Sequence, residues 1–338
     1  AHSNLGNVLN DLDKPHEAEL SYRKAIELKP DYADAYFNLL RQYEQINNLE
    51  KLKKLLNEFN NIDIIQNELL LFRSRLCFRN KENQTAKELI DNISFEWIKK
   101  SNSCQNSIFW NYKAFIEDKI GNYDIAYSCF EKSQKNISYE RFSKDSFLDY
   151  INSYRNSIIN KDKRFHILND GIKDYNLVFL IGFPRSGTTL LDTILRSHRD
   201  IEVIEEKPLI FSVEKFIKEK FSTELSDLMN ISQSNITTLR EHYFKLLSKY
   251  KTKNAKLFID KLPLHTVSIP LINLIFPDAK IIFTHRHPYD TVLSCFQQTF
   301  KPNSSMSNLV SLKSSSIMYD QVMDAWDIYK NNLNLNFI

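Results

Sequence analysis

The chain has 338 residues, of which 42% are hydrophobic and 26% charged, a balance typical of a globular protein with a sizeable core and two domains. Its formal net charge of +3 is too near neutral to indicate a nucleic-acid or membrane partner, so any anion preference must be local. No apolar run approaches the length of a membrane span. The cysteines form no CxxC pair, which argues against a zinc knuckle or a redox motif, and we expect Cys77, Cys104, Cys129 and Cys295 to be reduced core thiols.

The first residues of the chain fit a tetratricopeptide repeat, a helix-turn-helix unit of about 34 residues. Small and large packing residues stand where that repeat requires them, at Leu5, Gly6, Leu9, Ala18, Tyr22, Ala25 and Pro30. A second, degraded copy contains Tyr36, Leu39, Leu40 and Tyr43 and ends near Phe59. A third copy is faint around Ala86 and Ile90. A clearer copy contains Trp110, Ala114, Gly121, Ala126 and Phe130. Unrelated amphipathic helices are an alternative for the middle copies.

These repeats predict an N-terminal α-helical solenoid over residues 1–136, with a concave surface suited to a protein or peptide partner. Residues 137–176 are predicted to form a bridging helix and a polar linker. Because the chain begins inside the first helix of a repeat, we expect its natural N-terminus to lie further upstream. We expect a cytoplasmic protein unless a targeting segment is present there.

Residues 177–206 predict a strand, a loop and a helix. The unbroken apolar run Leu177–Ile181 is typical of a strand buried on both faces of a parallel sheet. The loop that follows contains Gly182 and Gly187, two of only five glycines in the chain, which indicates a backbone requirement. Such a loop at a helix N-terminus directs unpaired amides and a partial positive charge at an anion.

Three further apolar runs each end in charged residues, at Glu205–Glu206, Asp260–Lys261 and His285–His287. Helical stretches at about 207–250 and 264–276 separate these runs. The fold class predicted is therefore α + α/β, with a three-layer α/β/α parallel-sheet domain over residues 177–338. Because ligands of such sheets bind beyond the carboxyl ends of the strands, we expect these charges to converge beside the glycine loop.

The loop invites comparison with the nucleotide-triphosphate P-loop, GxxxxGK[ST]. Gly182 and Gly187 have the P-loop separation, but Thr188 stands at the lysine position. That lysine contacts the β and γ phosphates, so its absence counts against NTP hydrolysis. Asp260 resembles a magnesium-binding strand end, and an NTP-binding protein is the alternative function. A repeat-based binding module with a vestigial catalytic domain is a third.

Several motifs in order carry a resemblance to one family. They are PRSGTTLL at 184–191, SH at 197–198, EE at 205–206, DKLPLH at 260–265 and FPDAKIIFTHRHPYDTVLSC at 276–295. Together with the repeats, they resemble the sulfotransferases, in particular the bacterial tetratricopeptide-repeat and tyrosylprotein branches. The resemblance implies a P-loop-like loop that binds 3′-phosphoadenosine 5′-phosphosulfate (PAPS) as co-substrate, without a metal. It implies transfer of the sulfuryl group to an acceptor hydroxyl or amine.

The resemblance also implies roles for individual residues. The 5′-phosphosulfate would be held by the loop residues Arg185, Ser186, Gly187, Thr188 and Thr189, and the 3′-phosphate by Arg286 and Ser294. Arg185 and Lys261 would stabilise the leaving phosphate, and Glu206 would be the general base. We expect Glu205 and partial burial to raise the proton affinity of that base.

The acceptor stays open between a protein tyrosine, a polysaccharide hydroxyl and a small metabolite. Family members continue beyond the last helix with a strand and a basic loop that completes the nucleotide site. Residues 333–338 are predicted to start that strand. We therefore expect the 338-residue chain alone to bind the co-substrate poorly or to be inactive.

Overall fold

A computed structural model describes residues 1–58, 66–137, 142–159, 176–252 and 254–338. The predicted repeat end near Phe59 and most of the linker predicted within residues 137–176 lie outside the described residues. The chain divides into two compact units, Ala1–Ile137 and Ser138–Ile338, and each is considered by itself.

The first unit is helical throughout its described part. Its helices are α1 His2–Asp11, α2 Pro15–Leu28, α3 Ala33–Gln45, α4 Leu49–Glu58, α5 Gln66–Arg79, α6 Asn83–Asp91, α7 Phe95–Lys100, α8 Ser103–Ile120 and α9 Tyr123–Lys135. Neighbouring helices pack as pairs: α1 with α2, α3 with α4, α5 with α6, and α8 with α9. The faint third copy corresponds to the α5–α6 pair, in which Ala86 and Ile90 are buried.

Glycines serve two different purposes in these helix pairs. At Gly6 a Cβ atom would lie 2.4 Å from the Tyr22 ring, so the absence of a side chain lets α1 and α2 approach. The Tyr22 hydroxyl donates to Asn7 Oδ1 at 2.8 Å across the same contact. Gly121 has open space around it but a φ of +94°, the left-handed conformation that terminates α8.

The second unit is built on a parallel sheet. Its elements are α10 Lys144–Ile159, β1 Leu177–Gly182, α11 Thr188–Arg196, β2 Ile201–Glu205, α12 Leu209–Phe221, α13 Gln233–Leu247, β3 Leu257–Lys261, α14 Ile269–Ile275, β4 Lys280–Thr284, α15 Pro288–Gln297, α16 Leu312–Asn332 and β5 Asn336–Phe337. The strand order is β2-β3-β1-β4-β5, and every pair is parallel. The helix expected over 207–250 is divided into α12 and α13, because Ser222 ends α12 in a left-handed conformation with φ +50°.

Helices pack against both faces of the sheet, as the unbroken apolar sequence of β1 predicted. Phe179 and Ile181 belong to the larger core, which includes side chains of α10, α12, α13, α14 and α16. Val178 and Leu180 point the other way and pack with Leu191 of α11. The side-chain alternation of a strand therefore places successive β1 residues in two different cores.

Burial describes the surroundings of helix α10 and of the cysteines. Helix α10, which falls in the predicted bridging segment, packs into the core of the second unit through Tyr154, which is completely buried. Of the cysteines, Cys129 and Cys295 are buried and Cys77 is half-buried, but Cys104 is exposed. The core expectation is wrong for Cys104 because that residue lies in the solvent-facing first turn of α8. Across the described ranges, no helix combines the length and apolarity that crossing a membrane requires.

Candidate active site

The loop between β1 and α11 is held in conformations that few residues adopt. A Cβ atom at Gly182 would lie 2.4 Å from Thr284 Oγ1 and 2.6 Å from Ser186 Oγ, so only glycine fits there. Gly187 has φ +108° at the N-cap of α11, and Arg185 has φ +70° although it carries a side chain. Left-handed backbone at a non-glycine residue costs free energy and is concentrated at ligand sites.

Two threonines that sequence reasoning missed fix this loop. The Ser186 and Thr284 hydroxyls lie 2.7 Å apart, and Thr284 donates to the Ile181 carbonyl at 3.1 Å. Thr266 donates to the Gly182 carbonyl at 2.8 Å. A signal existed for Thr284, since it is the last residue of β4 and lies at the carboxyl edge of the sheet. Thr266 follows β3 in a short 3-10 helix and had no comparable signal.

Arg185 and Ser294 are brought together by the fold. The Arg185 Nε donates to Ser294 Oγ at 3.1 Å. Ser294 lies on α15, which opens with Pro288 and is capped by the His287 side chain. Arg286 lies between β4 and α15, with its Nε 3.5 Å from Asp290 Oδ2. Both predicted 3′-phosphate residues therefore border the loop edge of the sheet, although only Ser294 contacts Arg185.

Lys261 lies at the carboxyl end of β3, in register with Leu180 of β1 and Glu205 of β2. Its side chain is 0% exposed, and its Nζ lies 2.9 Å from Glu206 Oε1 and 3.1 Å from Glu205 Oε1. Burial by itself lowers the pKa of Lys261, but the hydrogen bonds and charges of the two carboxylates outweigh it and raise that pKa. Lys261 is therefore held as a cation.

Cations neighbour both carboxylates of the pair Glu205–Glu206. Lys261 lies between the two carboxylates, and Arg196 donates to Glu205 Oε2 at 2.9 Å. Arg196 also forms two hydrogen bonds to Asp192 at 2.7 and 2.6 Å. Burial alone raises the pKa of Glu205, but the bonds and charges of Lys261 and Arg196 prevail and lower it. The spacing of Asp192 and Arg196, four residues apart on α11, was the signal for this link.

Glu206 has an unusual backbone for its residue type. Its φ is +50°, and its amide donates to the Lys261 carbonyl at 2.8 Å, immediately after β2 ends. The side chain is 56% exposed and lines a cavity of about 460 Å³. The left-handed turn therefore places the Glu206 carboxylate between the Lys261 ammonium and open space.

Asp260 does not behave as a magnesium-binding strand end. Its side chain is fully buried, accepts a hydrogen bond from the Tyr243 hydroxyl at 2.7 Å and lies 3.4 Å from His265 Nε2. A cation at the loop edge would not reach it without rearrangement of this core. Within the described ranges, no three His, Cys, Asp or Glu side chains are grouped so that they could hold a metal ion.

A glycine loop between a buried strand and a helix, with cations at adjacent strand ends, is typical of α/β domains whose ligands are anions bound at the carboxyl edge of the sheet. The sequence of this domain matches a family model. Residues 178–333 match the model of the Sulfotransferase family, and residues 1–32 match that of the tetratricopeptide repeat. The chain therefore carries a sulfotransferase-family domain preceded by a helical region with a tetratricopeptide repeat.

Individual proteins show the same likeness at low identity. Protein-tyrosine sulfotransferase 1 of Homo sapiens is 27% identical over 120 residues, which cover 34% of this chain and 32% of the human protein. Nodulation protein NoeE of Sinorhizobium fredii is 29% identical over 123 residues, covering 33% of this chain and 29% of NoeE. An uncharacterised Aquifex aeolicus protein is 29% identical over 130 residues, covering 36% of this chain and 17% of that protein. The matched region thus spans about a third or less of each relative.

Proposed function

We propose that the protein is a sulfotransferase that moves a sulfuryl group from PAPS to an acceptor hydroxyl. The observation that carries this proposal is the convergence of Arg185, Lys261 and Glu206 at one edge of the sheet, within a sulfotransferase-family domain. This transfer requires two cations and a base. Arg185 in the loop and the buried Lys261 at the end of β3 are the cations, and the accessible Glu206 carboxylate is the base.

The donor would be held by a P-loop-like arrangement. The amides of Arg185, Gly187, Thr188 and Thr189 and the hydroxyls of Ser186, Thr188 and Thr189 suit a 5′-phosphosulfate, since a dense anion needs many donors. The close packing around Gly182 supports this assignment, because it brings the loop backbone against Thr284. Arg286 and Ser294 would hold the 3′-phosphate.

The transfer itself assigns one task to each group. The acceptor oxygen forms a bond to sulfur while the bond from sulfur to the 5′-phosphate oxygen breaks. Glu206 accepts the proton that the acceptor hydroxyl loses, and Arg185 and Lys261 stabilise the negative charge that develops on the departing phosphate. The buried position of Lys261 suits this role, because a fixed cation stabilises developing charge without reorganising.

The acceptor and its presentation are part of the proposal. A protein tyrosine is one acceptor class, which the name of the human relative supports. The helical first unit would act as a tetratricopeptide solenoid that selects or presents the acceptor. We place the reaction in the cytoplasm.

The test is a calorimetric titration of the full-length protein with adenosine 3′,5′-bisphosphate, the desulfated donor, and separately with MgATP. We expect tight binding of the bisphosphate, weak binding of MgATP, and at least about tenfold weaker bisphosphate binding in Arg185→Ala. Arg199→Ala is the matched control, because Arg185 lies just before helix α11 and Arg199 just after it, and the Arg199 side chain is 89% exposed. Preferential binding of MgATP would favour the NTP-binding alternative and reject the proposal.

The remaining alternative is a binding module whose catalytic domain no longer transfers sulfate. Labelled PAPS distinguishes this alternative from an active enzyme. With sulfur-35 PAPS and a lysate of the source cells, we expect a labelled acceptor with the wild-type protein and little label with Lys261→Met. Label transfer that is equal for both proteins, or absent from both despite bisphosphate binding, contradicts catalysis by this site.

A further inference from the structure

The cavity beside Glu206 has walls from several elements of the second unit. Side chains of α10, of α12 and of the segment after β3 line it, together with residues 303–305. Its volume of about 460 Å³ lies within the range of small-molecule sites. Helix α10 precedes residues 178–333, so this wall lies outside the part of the chain that matches the family.

The walls are largely apolar and aromatic. Phe147 and Tyr150 of α10 stack with their ring centroids 5.8 Å apart, and Phe211 of α12 and Leu264 also line the cavity. A sugar hydroxyl that faces the aromatic rings or Leu264 would have no hydrogen-bond partner, at a cost of about 1–3 kcal/mol for each one. A flat aromatic ring meets no such penalty.

The described residues that line the cavity include two carboxylates, and Lys261 contacts one of them, Glu206, from outside the lining. Among its described lining residues there is no lysine or arginine, whereas two are carboxylates, Glu206 and Glu214. Glu206 is 56% exposed and Glu214 only 7% exposed, so one carboxylate lies at the open side and the other at the closed side. An anionic acceptor would have to place its charge next to one of them.

Glu214 is organised by three hydroxyl groups that bind one of its oxygens. Tyr150 and Tyr154 each donate to Glu214 Oε1 at 2.6 Å, and Ser268 lies 3.2 Å from the same atom. No described residue donates a hydrogen bond to Oε2. Burial raises the pKa of Glu214 against the lowering effect of these hydroxyls. Glu214 is thus a fixed side chain that lines the cavity, and its Oε2 is available to a ligand.

We propose that this cavity binds the acceptor, and that the acceptor is an aromatic alcohol with a neutral or cationic hydrogen-bond donor at the end opposite its reacting hydroxyl. The hydroxyl faces Glu206, the ring lies between the aromatic walls, and the remote donor binds Glu214. Phenols with an acidic substituent are excluded by the same two carboxylates. This assignment rests on the proposed function, since it treats Glu206 as the group that faces the reacting hydroxyl.

The test measures binding of small phenols to the full-length protein by calorimetry, with no nucleotide present. The probes are tyramine, which has an ammonium group, p-cresol, which has none, 4-hydroxyphenylacetate, which is anionic, and glucose. We expect tyramine to bind most tightly, p-cresol less tightly, and the last two not measurably. Equal binding of tyramine and 4-hydroxyphenylacetate, or binding of glucose in their place, overturns the assignment.

Two variants locate the contact. Glu214→Gln should weaken tyramine binding by about tenfold or more and change p-cresol binding by less than about threefold, because only tyramine places a charged donor there. The control is Glu219→Gln, a carboxylate on the same helix that is 61% exposed and outside the cavity lining. Equal weakening of both probes by Glu214→Gln contradicts a direct contact.

Phe211→Ala covers the case in which Glu214→Gln does not fold. Phe211 is 65% exposed, so its removal leaves the core intact, and we expect several-fold weaker binding of both tyramine and p-cresol. Unchanged binding overturns the assignment of the cavity. Since these titrations contain no donor, their failure leaves sulfuryl transfer untouched, and failure of bisphosphate binding leaves the phenol site untouched.

Discussion

The Lys261 ammonium lies 2.9 Å from the Glu206 carboxylate, and the two side chains differ sharply in burial, at 0% and 56% exposed. The cation is fixed by its surroundings, whereas the carboxylate faces open space. This contact positions the Glu206 carboxylate beside the cavity that it lines. The Lys261–Glu206 contact therefore joins the proposed base to the proposed stabiliser of the leaving group.

Glu206→Gln preserves the shape of the side chain but removes its ability to accept a proton. We expect transfer of labelled sulfate to fall by about 10²-fold or more, with bisphosphate binding changed by less than about threefold. Single-turnover kinetics and calorimetry measure the two quantities. Glu205→Gln is the control, because Glu205 is bound by both Lys261 and Arg196, and a smaller loss of rate is expected from it. A variant Glu206→Gln with the wild-type rate would remove Glu206 from the chemistry.

The pH dependence of stability tests the ion pairs of Glu205. Its pKa is lowered in the folded protein by Lys261 and Arg196 against the effect of burial, so the ionised form stabilises the fold above the ordinary glutamate pKa of about 4.3. That contribution is lost as the pH falls through the lowered folded-state pKa.

We expect the difference in unfolding free energy between wild type and Glu205→Gln to be constant between about pH 7 and pH 5, and to shrink at lower pH. Urea denaturation at several pH values measures this difference. A difference that grows with acidification would mean that burial, rather than the two cations, dominates the pKa of Glu205.

Gly182→Ala tests the close packing of the loop. The new Cβ atom would meet Thr284 Oγ1 at 2.4 Å and the Thr284 carbonyl oxygen at 2.7 Å, so the loop or β4 must move. We expect the unfolding free energy to fall by about 1–3 kcal/mol and bisphosphate binding to weaken by about tenfold or more.

The matched control for the loop substitution is Gly121→Ala. Gly121 also has positive φ, at +94°, but no described atom lies within 4 Å of the place that a Cβ would occupy, and the residue ends helix α8. It should lose about 1–2 kcal/mol of stability through backbone strain and leave bisphosphate binding unchanged. If both variants bind the nucleotide as well as wild type does, the loop is not the anion site.

The sequence was sufficient for features that depend on local pattern. The unbroken apolar run of β1 predicted burial on both faces, and Gly6 predicted a close helix contact, because each requirement is visible in adjacent or regularly spaced residues. Strand ends with charged residues likewise predicted that Arg185 and Lys261 would lie at one edge of the sheet.

The other features of the site depend on contacts between residues that are far apart in the sequence. Arg196 reaches Glu205 only because α11 returns beside β2, and Lys261 of β3 contacts both Glu205 and Glu206. Tyr150 meets Glu214 across 64 residues of sequence, and no periodic pattern encodes that contact. These long-range contacts determine how the carboxylates are paired, and the expectation that Glu205 and partial burial raise the proton affinity of Glu206 stays a prediction.

The cysteines provide a chemical test of the fold that does not depend on the proposed activity. Burial raises the pKa of Cys295 to about 12, and its thiol donates to the Pro184 carbonyl at 3.3 Å beneath the loop. Burial and Glu82 raise the pKa of Cys77 to about 11, while Cys104 is exposed on α8. Since the thiolate is the reactive form, we expect N-ethylmaleimide at neutral pH to label Cys104 first, at roughly one equivalent per chain. Mass spectrometry of the fast phase identifies the site, Cys104→Ser should abolish that phase, and Cys77→Ser should leave it unchanged. Rapid labelling of Cys295 in the native protein would contradict the packing of the loop against α15.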